Sequence, residues 1–382
     1  MVDIRVEGLD SGSDPLLPTT VVGSYSVPEW LERLKTDFYQ HRLSRQHLDE
    51  MHDVAIKAAL KDQERAGIDI VSDGELRRDN DIDYLLARMP GVRVPNTAKA
   101  YYYDYYQAVV SDPLPSGDPV HLGLVEDFRF TRGQTDRRIK FSFTGPFSLS
   151  RRISNDAYSD DADLVRAIAH VLNAEARQLV QAGAQLLQID EPFLAGHPDQ
   201  AKLAIEAINI VIGGVAAHWG LHVCYGNRYA RPSWEGHYDF LFPAVLDAAV
   251  NELVLEFARK GYDDLRLIER YGWDRSLGLG VVDVKTEDVE TADLVASRVR
   301  RALEFMPPDR LVINPDCGLR HLPSEVARKK LEAMVKGAAQ VRREVSGERG
   351  DIKDDDGAKG DEDQGDDPER GMENTELPEA GG

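Results

Sequence analysis

Residues 221–225 read LHVCY, which sets His222 and Cys224 two positions apart. On a β-strand such residues point to one face, so an imidazole nitrogen and a sulfur are offered to the same space. Cys317, the only other cysteine among 382 residues, closes the run RLVINPDC (310–317) behind the polar cap Asn314-Pro315-Asp316. Glu256 stands near the end of ELVLEFA (252–258), an otherwise apolar run in which a carboxylate needs a cation or hydrogen-bond donors. Taken alone, His222 with Cys224 reads more simply as part of a buried strand, because cysteine is among the residues most often found inside. With Cys317 and Glu256 added, the four donors make a set suited to Zn2+, which favours soft and borderline ligands in tetrahedral geometry.

Such a shell implies a particular chemistry. Two thiolates and a carboxylate leave the zinc centre net negative, too electron-rich to activate water strongly, so hydrolysis is not its natural use. A thiol entering the shell would lose its proton near neutral pH and stay nucleophilic. Alkyl transfer to a thiol sulfur is the reaction expected.

These donors must be brought together by elements that end at one place. Eight short apolar runs punctuate the chain: TTVVGSY (19–25), IDIVSDG (68–74), IKFSFTGP (139–146), AQLLQIDE (184–191), GLHVCYG (220–226), ELVLEFA (252–258), SLGLGVVD (276–283) and RLVINPDC (310–317). Helical periodicity fills the gaps at 161–182, 198–218, 288–306 and 324–345. Eight βα units predict an α/β fold of the (β/α)8, or TIM, barrel type. Small and polar residues gather at the C-terminal ends of the runs, where such a barrel holds its active site. A doubly wound open sheet would want a Gly-rich phosphate turn after its first strand, and none follows 19–25.

The segment 88–138, with AYYYDYYQAVV inside it, is too long for an ordinary connection and reads as an insertion after the second strand, beside the barrel mouth. Its tyrosines are read as local packing. The formal charge of −21 is uneven: residues 347–382 hold 14 Asp or Glu against 4 Lys or Arg and no aromatic residue. That stretch reads as a disordered acidic tail, leaving 1–346 as the barrel domain. The acidic balance argues against nucleic acid or an anionic membrane as partner. No run of about 18 apolar residues is present, the N-terminus has no secretory signal pattern, and two cysteines make no disulfide framework, so a cytoplasmic location is expected.

In the same order along the chain, TTVVGSY, SDGELRRDNDIDYL, FTGPFSL, LQIDEPFL, LHVCY, VLEFA, GLGVVDV and INPDCGL resemble the motifs of the cobalamin-independent methionine synthases, in particular their C-terminal catalytic barrel, from about residue 19 to residue 345. The resemblance implies zinc ligation by His222, Cys224, Glu256 and Cys317, the quartet already reached from placement. It further implies methyl transfer to homocysteine to form methionine, with homocysteine contacts at Gly23, Ser24, Glu75 and Asp190. Two carboxylates suit an ammonium group, and Ser24 with nearby backbone N–H groups suits a carboxylate. For Glu75 and Asp190 the alternative role is an ion pair with Arg77, Arg78 or another barrel arginine.

The departures from the family bear on the methyl donor. Members using methyltetrahydrofolate carry a separate N-terminal domain, for which this chain has no room. Lys285 stands where they have a histidine that protonates the departing folate nitrogen. It is a candidate general acid, with a surface or phosphate-attracting lysine as the alternative. Arg152 occupies the place of a tryptophan at the folate site, and Gly196 that of an acidic residue. The donor stays open between a folate and a methylated corrinoid protein. Two other functions remain: alkyl transfer to another thiol, as in epoxyalkane:coenzyme M transferases, and a non-catalytic barrel with structural zinc. The uroporphyrinogen decarboxylases share the barrel in broad terms without needing this quartet.

Overall fold

Strands form where the chain is short, apolar and β-branched: β1 (Ile70–Val71), β2 (Val92–Arg93), β3 (Ala108–Val110), β4 (Arg138–Thr144), β5 (Ile153–Asn155), β6 (Leu186–Asp190), β7 (His218–Val223), β8 (Glu252–Leu255), β9 (Ser276–Gly280) and β10 (Leu311–Asn314). The computed structural model describes residues 15–115 and 120–347. The acidic tail, after its first residue, lies outside the described residues.

Seven strands make one sheet in the order β1-β4-β6-β7-β8-β9-β10, parallel at every pairing. The remaining expected strand, 19–25, joins the sheet through single bridges: Thr19 with Ile313, Thr20 with Ile70, and Ser24 with Gly74. Backbone bonds from Thr20 N to Ile313 O (2.9 Å) and from Ile70 N to Thr19 O (3.0 Å) connect this segment to both β10 and β1. It therefore closes the curled sheet into the barrel. No longer ladder develops because side chains take ladder partners: Asp69 accepts from Thr19 N (2.8 Å), and the Thr20 hydroxyl donates to Ile70 O (2.9 Å).

Helices cover the outside, each with a local reason for its ends. Ser44 caps the helix Arg45–Ala66 by accepting from His47 N, and Gly67 ends it with φ 87°. Asp160 and Thr291 cap Asp161–Gln181 and Ala292–Ala302 in the same way. The helix expected over 198–218 is shorter, Ala201–Ile212, preceded by a 3-10 turn at Pro198–Gln200. Gly213 and Gly214 stop it, Gly214 at φ 70°, and β7 takes over at His218.

The insertion folds back on the barrel mouth. β2 and β3 pair antiparallel, and β3 pairs in parallel with β5, which lies beyond the mouth end of β4. A Lys99 ammonium buried between Asp79 (2.9 Å) and Asp83 (2.8 Å) ties the insertion to the loop after β1. Its tyrosines pack on one another, as at Tyr101–Tyr102 with ring centroids 4.7 Å apart, but the expectation of packing alone falls short. Tyr103 and Tyr105 also line the cavity at the barrel mouth.

Candidate metal centre

β7 carries His222, and Cys224 follows one residue past its end, so strand alternation turns both into the barrel. Cys317 arrives from the turn after β10, and its Sγ lies 3.5 Å from that of Cys224. The donor atoms of His222, Cys224 and Cys317 all lie within 4.8 Å of one another. His222 is held by the next strand: its Nδ1 is 3.1 Å from Val254 O, which can only accept, so Nδ1 is assigned the proton. Nε2 is buried and has no hydrogen-bond partner within ordinary geometry. An imidazole oriented in this way by a backbone carbonyl is the usual arrangement of a metal-bound histidine. The donor set and the buried Nε2 fit a zinc ion.

The thiols respond to each other first. The hydrogen bond to Cys317, then burial, pushes the Cys224 thiol up, while the bond from Cys224 pulls the Cys317 thiol down against its own burial, with help from His222. The two sulfurs thus share a hydrogen bond that favours a single negative charge on the pair.

The fourth expected ligand stands apart from this trio. Glu256, 1% exposed, gives Oε2 to the Lys285 ammonium at 2.7 Å, with Arg259 3.6 Å from Oε1. Oε1 has no hydrogen-bond partner. Burial works against the charge of Lys285, but Glu256 and then the two cysteines outweigh it and hold the ammonium above its ordinary range. Lys285 is thus neither on the surface nor free, but paired with Glu256 beside the cluster.

Of the expected substrate contacts, Ser24, Glu75 and Asp190 line the same cavity of about 320 Å3 above the cluster, while Gly23 lies just behind its wall against Glu75 and Ser142. Glu75 sits at φ 54°, a backbone conformation that costs free energy for a non-glycine residue. Its Oε1 accepts from Ser142 Oγ (2.8 Å) and lies 3.3 Å from Arg78, with Arg320 3.8 Å from Oε2. A Cβ on Gly23 would overlap both Glu75 and Ser142, so a glycine there makes room for the carboxylate. Burial pushes the Asp190 carboxyl up to about 7, and Gln188 donates to it at 2.6 Å. Ser24 lies against Gly318, whose missing side chain leaves space for the serine hydroxyl.

Two of the three departures singled out in the sequence, Arg152 and Gly196, lie at the rim. Trp234 occupies the place of a side chain at Gly196: a Cβ there would overlap the indole ring. Arg152 stands over the rings of Tyr105 (4.1 Å) and Phe193 (5.4 Å). Sequence reasoning missed Arg228, Trp234, Arg320 and His321, which also line the cavity. Arg320 and His321 follow Cys317 closely enough to have been suspected, but Arg228 and Trp234 sit in a loop with no periodic signal.

Residues 17–340 match the family model described as cobalamin-independent synthase, catalytic domain. Methionine synthase of Saccharolobus solfataricus is 36% identical over 335 residues, 87% of this chain and 96% of that protein. The corresponding protein of Sulfurisphaera tokodaii is 34% identical over 334 residues, 87% and 94% respectively. Among solved structures, a B12-independent methionine synthase from Shewanella sp. W3-18-1 in complex with selenomethionine superposes with a TM-score of 0.75 at 29% identity, covering 87% of this chain and 99% of that one.

Proposed function

The chain belongs to the cobalamin-independent methionine synthase family, and from that membership we propose that it is an S-methyltransferase that makes methionine from homocysteine. The observation that carries this reading is the His222, Cys224 and Cys317 cluster at the base of a cavity large enough for an amino acid, with the imidazole Nε2 buried. Zinc bound there would lower the proton affinity of a thiol placed on it, so that sulfur reacts as thiolate near neutral pH.

The chain's own residues do the rest. Glu75 and Asp190, both at the cavity wall, receive the homocysteine ammonium, and Ser24 with neighbouring backbone N–H groups receives its carboxylate. Glu256 would be the fourth donor, through its unpartnered Oε1 while Lys285 holds Oε2. The methyl donor is a folate or a methylated corrinoid protein. The two unpaired cysteines suit a reducing compartment such as the cytoplasm, and among the described residues no helix is long and apolar enough to cross a membrane.

Purified protein should hold about one zinc per chain, and Cys224→Ser and Cys317→Ser should each lose most of it. Homocysteine should replace a nitrogen or oxygen donor by sulfur in zinc X-ray absorption. A zinc-free wild type, full occupancy in both variants, or an unchanged shell would defeat the mechanism. Methionine formation should then be assayed with methyltetrahydrofolate and with methylcobalamin, which separates the donors.

A further inference from the structure

Glu75, Asp81 and Asp190 on the cavity wall all have partners: Ser142 and Arg78 for Glu75, the Tyr105 hydroxyl at 2.8 Å for Asp81, and Gln188 for Asp190. The rim is different. Arg152 stands over Tyr105 at 4.1 Å, and Arg228 over the same ring at 4.5 Å. Neither guanidinium has a carboxylate partner among the described residues, although the chain carries 67 Asp and Glu against 46 Lys and Arg. Two like charges sharing one ring repel, and Arg228 Nη1 is buried with no hydrogen-bond acceptor, so the arrangement costs stability unless something anionic meets it.

The backbone also holds Arg228 there deliberately. Arg228 and Arg231 exchange backbone hydrogen bonds of 3.1 and 3.2 Å across a two-residue turn. Its central residues, Tyr229 and Ala230, both have positive φ (54° and 55°), where glycine or asparagine would be expected. Asn227 pins the same loop to Gly318 O at 2.8 Å, next to Cys317. Beyond Arg152, Phe193 and Trp234 the cavity wall is shared with a shallower basin that adds Arg151 and His197, with Asp161 3.5 Å from Arg151.

We propose that Arg152 and Arg228, ordered by Tyr105, form an oxyanion subsite that takes a carboxylate or phosphate of the methyl donor and so orients the methyl group toward the sulfur. The inference rests on the methyltransferase reading and assigns the rim to the donor, while the acidic wall serves the homocysteine ammonium. Guanidinium forks suit both oxyanions, and their ring stacking pre-orders them.

The test uses the full chain, with Arg152→Gln, Arg228→Gln and Arg152→Lys, each shown folded by thermal melting. Trp234 lines the subsite, so tryptophan fluorescence is titrated with triglutamate as the carboxylate probe and inorganic phosphate as the phosphate probe. Wild type should respond saturably to at least one probe. Both glutamine variants should shift the midpoint about tenfold, as loss of a charge-assisted hydrogen bond implies, and the lysine variant less. In turnover, the KM for the donor should rise about tenfold while that for homocysteine moves less than twofold. A response confined to triglutamate and to methyltetrahydrofolate identifies the carboxylate source, and one confined to phosphate and methylcobalamin the phosphate source. No saturable response in wild type, unchanged midpoints in both glutamine variants, or a rise in homocysteine KM instead of donor KM would overturn the subsite. Probe binding that is lost in the variants, with no methionine formed from any donor, would overturn the functional reading and leave the subsite standing.

Discussion

Glu256 and Lys285 each make the other's burial tolerable: their side chains are 0% and 3% exposed and 2.7 Å apart. Lys285 holds Glu256 Oε2, so it would compete with a zinc ion for that oxygen if the carboxylate were a ligand. Removing the cation should test this. In zinc-free Lys285→Met the carboxylate is left buried beside only Arg259, and stability should fall by about 3 kcal/mol, the scale for breaking a buried pair. With zinc restored, Glu256 has a new cation, so the gap between zinc-free and zinc-loaded Tm should widen relative to wild type. Equal gaps in the two proteins would show that Glu256 does not reach the metal. At the rim, Gly196→Ala forces its Cβ into the Trp234 indole and should cost about 1–3 kcal/mol by overpacking, with a shifted tryptophan emission as the direct sign.

The candidate donors come from the ends of three strands, β7, β8 and β10, so their spacing depends on what joins those ends. Tyr238 does part of this: its hydroxyl donates to Val223 O (2.9 Å), between His222 and Cys224, and accepts from Glu256 N (3.0 Å). Asp316 does another part, accepting from Phe257, Ala258 and Arg259 N at 2.8 to 2.9 Å while standing next to Cys317. Tyr238→Phe keeps the packing but leaves two buried backbone groups unpaired, which should lower stability by about 1–3 kcal/mol in urea unfolding. It should also weaken zinc retention against a chelator, because the β7 and β8 ends are no longer tied. Unaltered chelator kinetics would show that the strand ladders alone fix the site. These ties were invisible beforehand: a tyrosine in a loop and an aspartate in a turn have no periodicity, and their importance lies in backbone groups far along the chain.

At the scale of the whole molecule, the barrel is closed by few bonds, those of residues 19–25 to β10 and β1. The same segment delivers Ser24 to the cavity, so barrel closure and the shape of the cavity wall depend on one stretch. The acidic tail has no such duty in the proposal. Truncation after Gly347 should leave Tm, zinc content and methionine formation within error of the full chain, and a loss of any of them would give the tail a role.

The sequence by itself determined the barrel and the family, and it named the candidate donors. Strand runs, polar strand ends and donor types are local properties, and eight motifs in order leave little freedom in how the chain can pair. Only the tertiary structure decided which donors meet: His222, Cys224 and Cys317 converge, while Glu256 is taken by Lys285. It alone put Arg152 and Arg228 on one tyrosine of the insertion and filled the space at Gly196 with Trp234. The reason is physical. A residue's type sets what it can do, but its partner is chosen by distance and burial, and those arise between segments that lie tens or hundreds of residues apart.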